Sequence, residues 1–329
     1  ITAGEGNNVV LGDHGEVYYT AIGNYDLARS LEAGFGAADI ITTGDGHDLI
    51  IGGAGTDTIV AGHGNNFVIG DHGTFDFVEG DLRSAISTDF AIGGNDTITT
   101  GDGDDFIIGG LGTDTITAGE GDNVVLGDHG EVVYTALGNY DLARSLAADF
   151  GAADTITTGD GNDLIIGGAG GDTIVAGHGN NLVIGDHGTL DFDEGLLRSA
   201  IASDFDIGGT DTITTGDGDD FIIGGLGSDL LTAGEGNNIV LGDHGELLFS
   251  AIGDLDAVRS LDPTEGGADT ITSGAGHDII FGGRDTDSIT AGDGDNIVFG
   301  DNGEAIWLVR VPVRFTAFST ENSADDVIT

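Results

Sequence analysis

Short apolar runs recur along this chain every nine residues. From residue 34 it reads GFGAADIIT, TGDGHDLII, GGAGTDTIV, AGHGNNFVI and GDHGTFDFV. In each unit six positions rich in glycine and polar residues precede three centred on one large apolar residue. Side chains on a strand alternate between faces, so three residues make a very short strand with one inward side chain. Glycine tolerates positive φ and close backbone approach, so the six positions before it form a tight turn. A turn and a strand in every unit predicts an all-β fold, a parallel β-solenoid whose coils bury their strands only by stacking.

The pattern has two longer periods. ITAGEGNNVVLGDHGEV at residue 1 returns nearly unchanged at 116 and 231, a repeat of 115 residues. The long repeats are 1–115, 116–230 and an incomplete 231–329, with half-repeats starting at 1, 59, 116, 174, 231 and 289. Each half holds five nonapeptides and one insertion of 12 or 13 residues; 28 nonapeptides, six insertions and the leading Ile-Thr fill the chain. The expectation is one continuous repeat array over 1–329. The closing DDVIT matches the start of a further strand, so the array is expected to be a piece of a longer protein.

Charge changes the picture next. There are 58 acidic residues against 8 arginines and no lysine, a formal charge of −50. Nucleic acid and anionic membrane are therefore poor partners, because like charge repels, so no nucleic acid is expected to bind, and cations are favoured. Such acidity alone would read as disorder, but 39% of the residues are hydrophobic and regularly placed. With no cysteine there is no disulfide or thiolate chemistry. No apolar run has the roughly 18 residues of a membrane span.

The acids fall at fixed positions. The sixth position of the first three nonapeptides in each half is aspartate: Asp39, Asp48 and Asp57; Asp96, Asp105 and Asp114; Asp154, Asp163 and Asp172; Asp211, Asp220 and Asp229; Asp269, Asp278 and Asp287; then Asp326. The fourth carries Asn8, Asn66, Asn123, Asn181, Asn238 and Asn296, and the fifth an apolar residue (Val17, Phe75, Val132, Leu190, Leu247, Ala305). Aspartate also shapes turns unaided. That reading leaves the repulsion of sixteen acids at one register unanswered. The pattern G-G-x-G-x-D-x-U-x, with U apolar, resembles the hemolysin-type calcium-binding (RTX) repeats. The resemblance covers nearly all of the chain except the insertions. It implies a right-handed β-roll with two nonapeptides per coil. It also implies Ca²⁺ in the turns, held by the sixth-position aspartates and backbone carbonyls. Carboxylate is a stronger ligand for this hard cation than amide, so strong sites are expected at the aspartates, weaker ones at the asparagines and no ordinary site at the fifth turn.

That fifth turn reads GDHG in five copies, with Asp13, Asp71, Asp128, Asp186, Asp243 and Asp301 at its second position. Its eighth position is always aromatic (Tyr19, Phe77, Tyr134, Phe192, Phe249, Trp307), which predicts a wider coil there. His14, His72, His129, His187 and His244 could ligate a transition metal, but their spacing of 57 or 58 residues keeps them apart along the axis. A bond to the insertion is the plainer role. His47, His63, His178 and His277 vary between copies and read as solvated turn positions.

The insertions alternate between AIGNYDLARSLEA-like and EGDLRSAISTDF-like forms, and carry Arg29, Arg83, Arg144, Arg198 and Arg259. An arginine fork pairs well with carboxylate, predicting a staple onto the acidic solenoid; contact with another chain or a glycan is the sharper alternative. DLARSL has the pattern of a single helical turn with Leu27 and Leu31 packing down. Each insertion either completes a sixth side, giving 17 coils and a rod of about 80 Å, or is a loop that leaves successive insertions on opposite edges. The last insertion, VRVPVRFTAFST at 309–320, reads as a hairpin-like flap or docking patch.

No acid/base pair is unique to one copy, so catalysis is not expected. T-x-T segments such as DTIT raise ice binding, but the asparagine and apolar nonapeptides between them interrupt the ladder in sequence, so this reading is not expected to hold. The expected function is a calcium-binding structural rod of a secreted or cell-surface bacterial protein: adhesin, filament, sheath or matrix. The alternative is a secretion and folding segment attached to an enzyme or toxin. The resemblance implies type I secretion, with folding outside the cell in millimolar calcium.

Overall fold

The structure, a computed structural model, describes residues 1–32, 34–261, 264–308, 311–317 and 326–329. Among these every regular element is a strand. They form two eleven-stranded parallel sheets and one twelve-stranded antiparallel sheet. Successive nonapeptides alternate between the parallel sheets. An outer sheet takes Ile40–Thr42, Thr58–Val60, Thr97–Thr99 and Thr115–Thr117; a central sheet takes Leu49–Ile51, Phe67–Ile69, Phe106–Ile108 and Val124–Leu126, and so on along the chain. Two nonapeptides therefore make one coil of a right-handed parallel β-roll.

Composition follows the layer. Central strands read LII, FVI, FII or VVL because both of their faces are buried. Their middle residues, such as Ile50 and Ile107, meet the middle isoleucines of the outer strands, such as Ile59 and Ile98, in one core. Their first and third residues meet Phe75, Ala85, Val132 and Ala143 of the antiparallel sheet in a second core. Outer strands read TIT or TIV because only the middle side chain is covered.

The third sheet corrects the expected coil count. Each fifth nonapeptide and its insertion form one antiparallel hairpin, such as Gly73–Val78 with Asp81–Ser87 or Gly130–Tyr134 with Tyr140–Ser145. Neighbouring hairpins also pair with each other, so all lie on one side, over the central sheet. The insertion thus neither completes a sixth side of the solenoid nor alternates between edges. Each half contributes two coils, and the roll has eleven, about 50 Å at strand spacing. The expected helical turn in DLARSL is the strand Tyr25–Ser30, because Ala28 must face Val17 across the hairpin and enter the core.

The same hairpins explain the odd fifth turn. Its apolar sixth position (Phe75, Val132, Leu190, Leu247, Ala305) is fully buried against the central sheet. The aromatic eighth position widens no coil. It falls at a β-bulge in every hairpin, at Tyr19, Phe77, Tyr134, Phe192, Phe249 and Trp307. The extra residue re-aims the strand there, and rings pair across the sheet, Tyr134 with Tyr140 at 5.2 Å and Tyr140 with Phe192 at 5.6 Å. The insertion arginines do staple, but within the hairpin sheet rather than onto the acidic turns. Arg29 pairs with Glu16, Arg144 with Glu131 and Arg259 with Glu246; Arg83 donates to Thr135 O at 2.8 Å, and Arg198 pairs with Asp193. Of the last insertion, Val311–Ala317 pairs with Gly303–Leu308 as a further hairpin; residues 309, 310 and 318–320 lie outside the described residues.

Candidate metal sites

Alternation between sheets sorts the sixth-position residues onto two edges. Turns entering the outer sheet, from a central strand or from a hairpin, carry only aspartate: Asp39, Asp57, Asp96, Asp114, Asp154, Asp172, Asp211, Asp229, Asp269, Asp287 and Asp326. These form a ladder in which each backbone N–H donates to Oδ1 of the next aspartate. Asp96 N donates to Asp114 at 2.7 Å, Asp114 N to Asp154 at 2.7 Å and Asp154 N to Asp172 at 2.7 Å. The bonds continue from Asp39 to Asp326 without a gap.

One oxygen of each carboxylate is thereby used, and the other is left over. Oδ2 of Asp57, Asp96, Asp114, Asp154, Asp172, Asp211, Asp229, Asp269 and Asp287 is buried with no hydrogen-bond partner. A buried acceptor without a partner is costly, and an ionised one far more so. Burial accordingly pushes Asp57 up to about 7, Asp96 to about 9 and Asp154 to about 10, with neighbouring carboxylates adding to the rise. Glycine at the first turn position leaves room beside each free oxygen. A Cβ on Gly109 would lie 2.6 Å from Asp114 Oδ2 and 2.2 Å from Gly127 O, and one on Gly167 would lie 2.4 Å from Asp172 Oδ2 and 2.1 Å from Gly185 O. A carboxylate oxygen and a carbonyl oxygen thus face one space at each step. This donor set suits a hard divalent cation such as Ca²⁺. Among the described residues no three Asp, Glu or His side chains converge on one point, so the carbonyls are a necessary part of any such site.

The hairpin turns add an acid that the spacing argument passed over. Asp71 is fully buried beside Asp96 and Asp114. Its Oδ1 accepts from Gly94 N at 3.0 Å and its Oδ2 from Leu111 N at 2.5 Å, which ties the hairpin's exit to the next coil. Burial first, then Asp96, pushes it up to about 10. Asp128, Asp186 and Asp243 repeat the arrangement. Its invariance across the six copies was the available signal. The adjoining histidines are tied to the insertions: the carbonyls of His14, His72, His129, His187 and His244 each accept a backbone N–H from the end of the insertion that follows. His129 Nε2 also lies 3.0 Å from Phe90 O.

The opposite edge alternates Asn8, Asp48, Asn66, Asp105, Asn123, Asp163, Asn181, Asp220, Asn238, Asp278 and Asn296 in a similar ladder. Here the asparagine amide bonds the turn itself. Asn66 Nδ2 donates to Gly62 O at 3.0 Å, to Gly64 O at 2.8 Å and to Asp105 Oδ1 at 3.0 Å; Asn123 does the same. Hydroxyls serve the aspartates of this edge, Thr158 to Asp163 Oδ2 at 2.6 Å and Ser273 to Asp278 Oδ2 at 2.7 Å, with Thr100 and Thr215 in the same place beside Asp105 and Asp220. Oδ2 of Asp48 has no partner. The histidines read as solvated are exposed, and each takes a ladder rung: Nδ1 of His47, His63, His178 and His277 accepts a backbone N–H of the next coil at 2.9–3.1 Å.

Substituting Asn66→Asp replaces that amide donor with an acceptor. It is expected to raise the calcium stoichiometry in titration calorimetry and to make the variant more dependent on calcium than the parent. An unchanged stoichiometry would refute this reading of the amide.

The profile of the RTX calcium-binding nonapeptide repeat (4 copies) matches residues 34–68, 90–125, 150–186, 207–240, 264–289 and 273–304. The chain belongs to this family, and its turns are calcium-binding repeats. The stretches between these matches hold the hairpins, so the profile follows the two-sheet roll and skips the third layer. Among curated proteins none matches the chain.

Proposed function

We propose that residues 1–329, as one continuous array, form a calcium-stiffened rod in a secreted or cell-surface bacterial protein, as an adhesin, filament, sheath or matrix component. The single observation carrying this reading is the unbroken aspartate ladder from Asp39 to Asp326, with the same spare oxygen at nearly every step. Calcium is held by Asp39, Asp57, Asp96, Asp114, Asp154, Asp172, Asp211, Asp229, Asp269, Asp287 and Asp326 on one edge and by Asp48, Asp105, Asp163, Asp220 and Asp278 on the other. The asparagine turns form the weak end of the series. Low cytoplasmic calcium keeps the chain extended for type I export, and external calcium folds it. Repetition of every acidic constellation favours a mechanical role over catalysis, because no copy differs enough to be an active site.

Single-molecule stretching of the full chain tests this. In millimolar calcium it is expected to unfold in discrete high-force steps, and in EDTA to extend as a featureless polymer. Identical traces in the two buffers would sink the proposal.

A further inference from the structure

The hairpins cover the central sheet, and the outward face of the outer sheet is left bare. The order of nonapeptides along the chain does not break the threonine ladder, because the asparagine and apolar nonapeptides go to the other sheets. Strands stack in constant register: Thr97 beside Thr115, Thr155, Thr173 and Thr212 in one column, Thr99 beside Thr117 and Thr157 in the other. The columns run through all eleven strands. Their spacing is about 4.8 Å between strands and about 6.6 Å between alternate residues on a strand. The intervening isoleucines, such as Ile98, Ile116 and Ile156, point inward and are fully buried.

What the face lacks narrows what it can hold. Every outward position of these strands is Thr, Ser, Val, Ile or Leu, with no charge and no aromatic ring, in a chain with 58 acids. A mineral surface needs charge for recognition, and a sugar needs aromatic platforms and convergent polar groups. An uncharged lattice with a short two-dimensional repeat needs neither. Threonine supplies a hydroxyl for hydrogen bonding and a methyl that orders water beside it. Where a column departs from threonine, Ile40, Val60, Val175 and Val327 keep its β-branched shape, Ser288 keeps the hydroxyl, and Leu230 alone keeps neither.

We propose that this face binds ice. The function goes beyond the calcium rod: calcium holds the coils in register, and the outer sheet presents the grid. The test uses the calcium-loaded full chain. A double variant, Thr115→Lys with Thr155→Lys, places charge in mid-array on outward positions. Leu137→Lys at a hairpin tip, where the side chain is 82% exposed, is the control. Calcium-dependent circular dichroism confirms that all three are folded. Parent and control are expected to enter a slowly growing ice body and to shape ice crystals, while the double variant falls to the level of an excluded carrier protein. Exclusion of the folded parent, or entry of the double variant equal to the parent's, would overturn the proposal. So would a parent dimer in sedimentation that the two lysines disperse, with no species entering ice, since the face would then pack a second copy.

Discussion

Stripped of divalent cations at neutral pH, the chain is expected to lose its β-structure, and to recover it on acidification. The cause is the ladder of buried acids. In the folded chain burial raises Asp105 to about 6, Asp114 and Asp229 to about 7, Asp172 and Asp186 to about 9, and Asp154 and Asp269 to about 10. In the unfolded chain each titrates near 3.9. A raised folded value means that protonation favours the fold. The contribution is fully present below about pH 4 and is lost as pH rises through the folded values. For a group that folds protonated, the loss by pH 7 is about 4 kcal/mol. A few such groups match the total stability of about 5–15 kcal/mol typical of a domain. His129 and His187 act the other way: burial lowers them, so their contribution is present above about pH 6.5 and lost as pH falls through their folded values. The aspartates outnumber them, and acid wins. Calcium supplies at neutral pH the positive charge that protons supply in acid. Far-UV circular dichroism in EDTA between about pH 4 and 8 decides the matter. A signal flat across that range would show that the carboxylates are not what calcium is needed for.

The nonapeptide period, the roll and the register of its aspartates were legible because each follows from local chemistry. Glycine makes the turn, one inward isoleucine makes the strand, and stacking does the rest. What could not be read was where the insertion goes. That depends on a long-range partner, the second face of the central sheet. A trace of it was visible. Strands such as DLII and DFII are apolar throughout, whereas DTIT and DTIV alternate, and only a strand buried on both faces tolerates the first pattern. Read together with the apolar sixth position at Phe75 and Val132, that difference calls for a third layer. The helical reading of DLARSL failed for the same reason: its spacing fits a helix, but Ala28 and Val17 are cross-strand neighbours.

The two edges also divide labour in a way that composition alone concealed. One edge has only aspartate and spare buried oxygens. The other alternates carboxylate with an amide that donates to the turn carbonyls. In the coil closed by Asn66 the amide satisfies the turn carbonyls itself, while its neighbour closed by Asp48 retains an unpartnered oxygen. Metal dependence is therefore expected to concentrate on the all-aspartate edge, beside the buried hairpin acids Asp71, Asp128, Asp186 and Asp243.

Two substitutions on that edge are expected to separate the fold from the ion. Gly109→Ala puts a methyl 2.2 Å from Gly127 O and 2.6 Å from Asp114 Oδ2. Neither neighbour can retreat. Gly127 O belongs to the next coil, and Asp114 is fixed at both ends, its Oδ1 by Asp96 N and its own N–H by Asp154 Oδ1, each at 2.7 Å. Overpacking of this kind costs about 1–3 kcal/mol, and the methyl also fills the space where carboxylate and carbonyl face each other. The variant is expected to lose calcium affinity and to melt early both with calcium and in metal-free acid. Asp114→Asn keeps Oδ1 for Asp96 N and exchanges the spare oxygen for a donor, the arrangement already present at Asn66. It is expected to bind less calcium and to melt earlier in calcium, yet to be more stable than the parent in EDTA at neutral pH, because one buried charge has gone. Gly4→Ala in an exposed turn, where a Cβ would meet nothing within 4 Å and φ, as at Gly109, is not positive, controls for the loss of a glycine alone. Thermal melts of the three variants in calcium and in EDTA give the comparison. If Asp114→Asn destabilised the metal-free chain as much as the calcium-loaded one, the carboxylate would be a turn former first and a ligand second, and the bland reading of all sixteen aspartates would regain its footing.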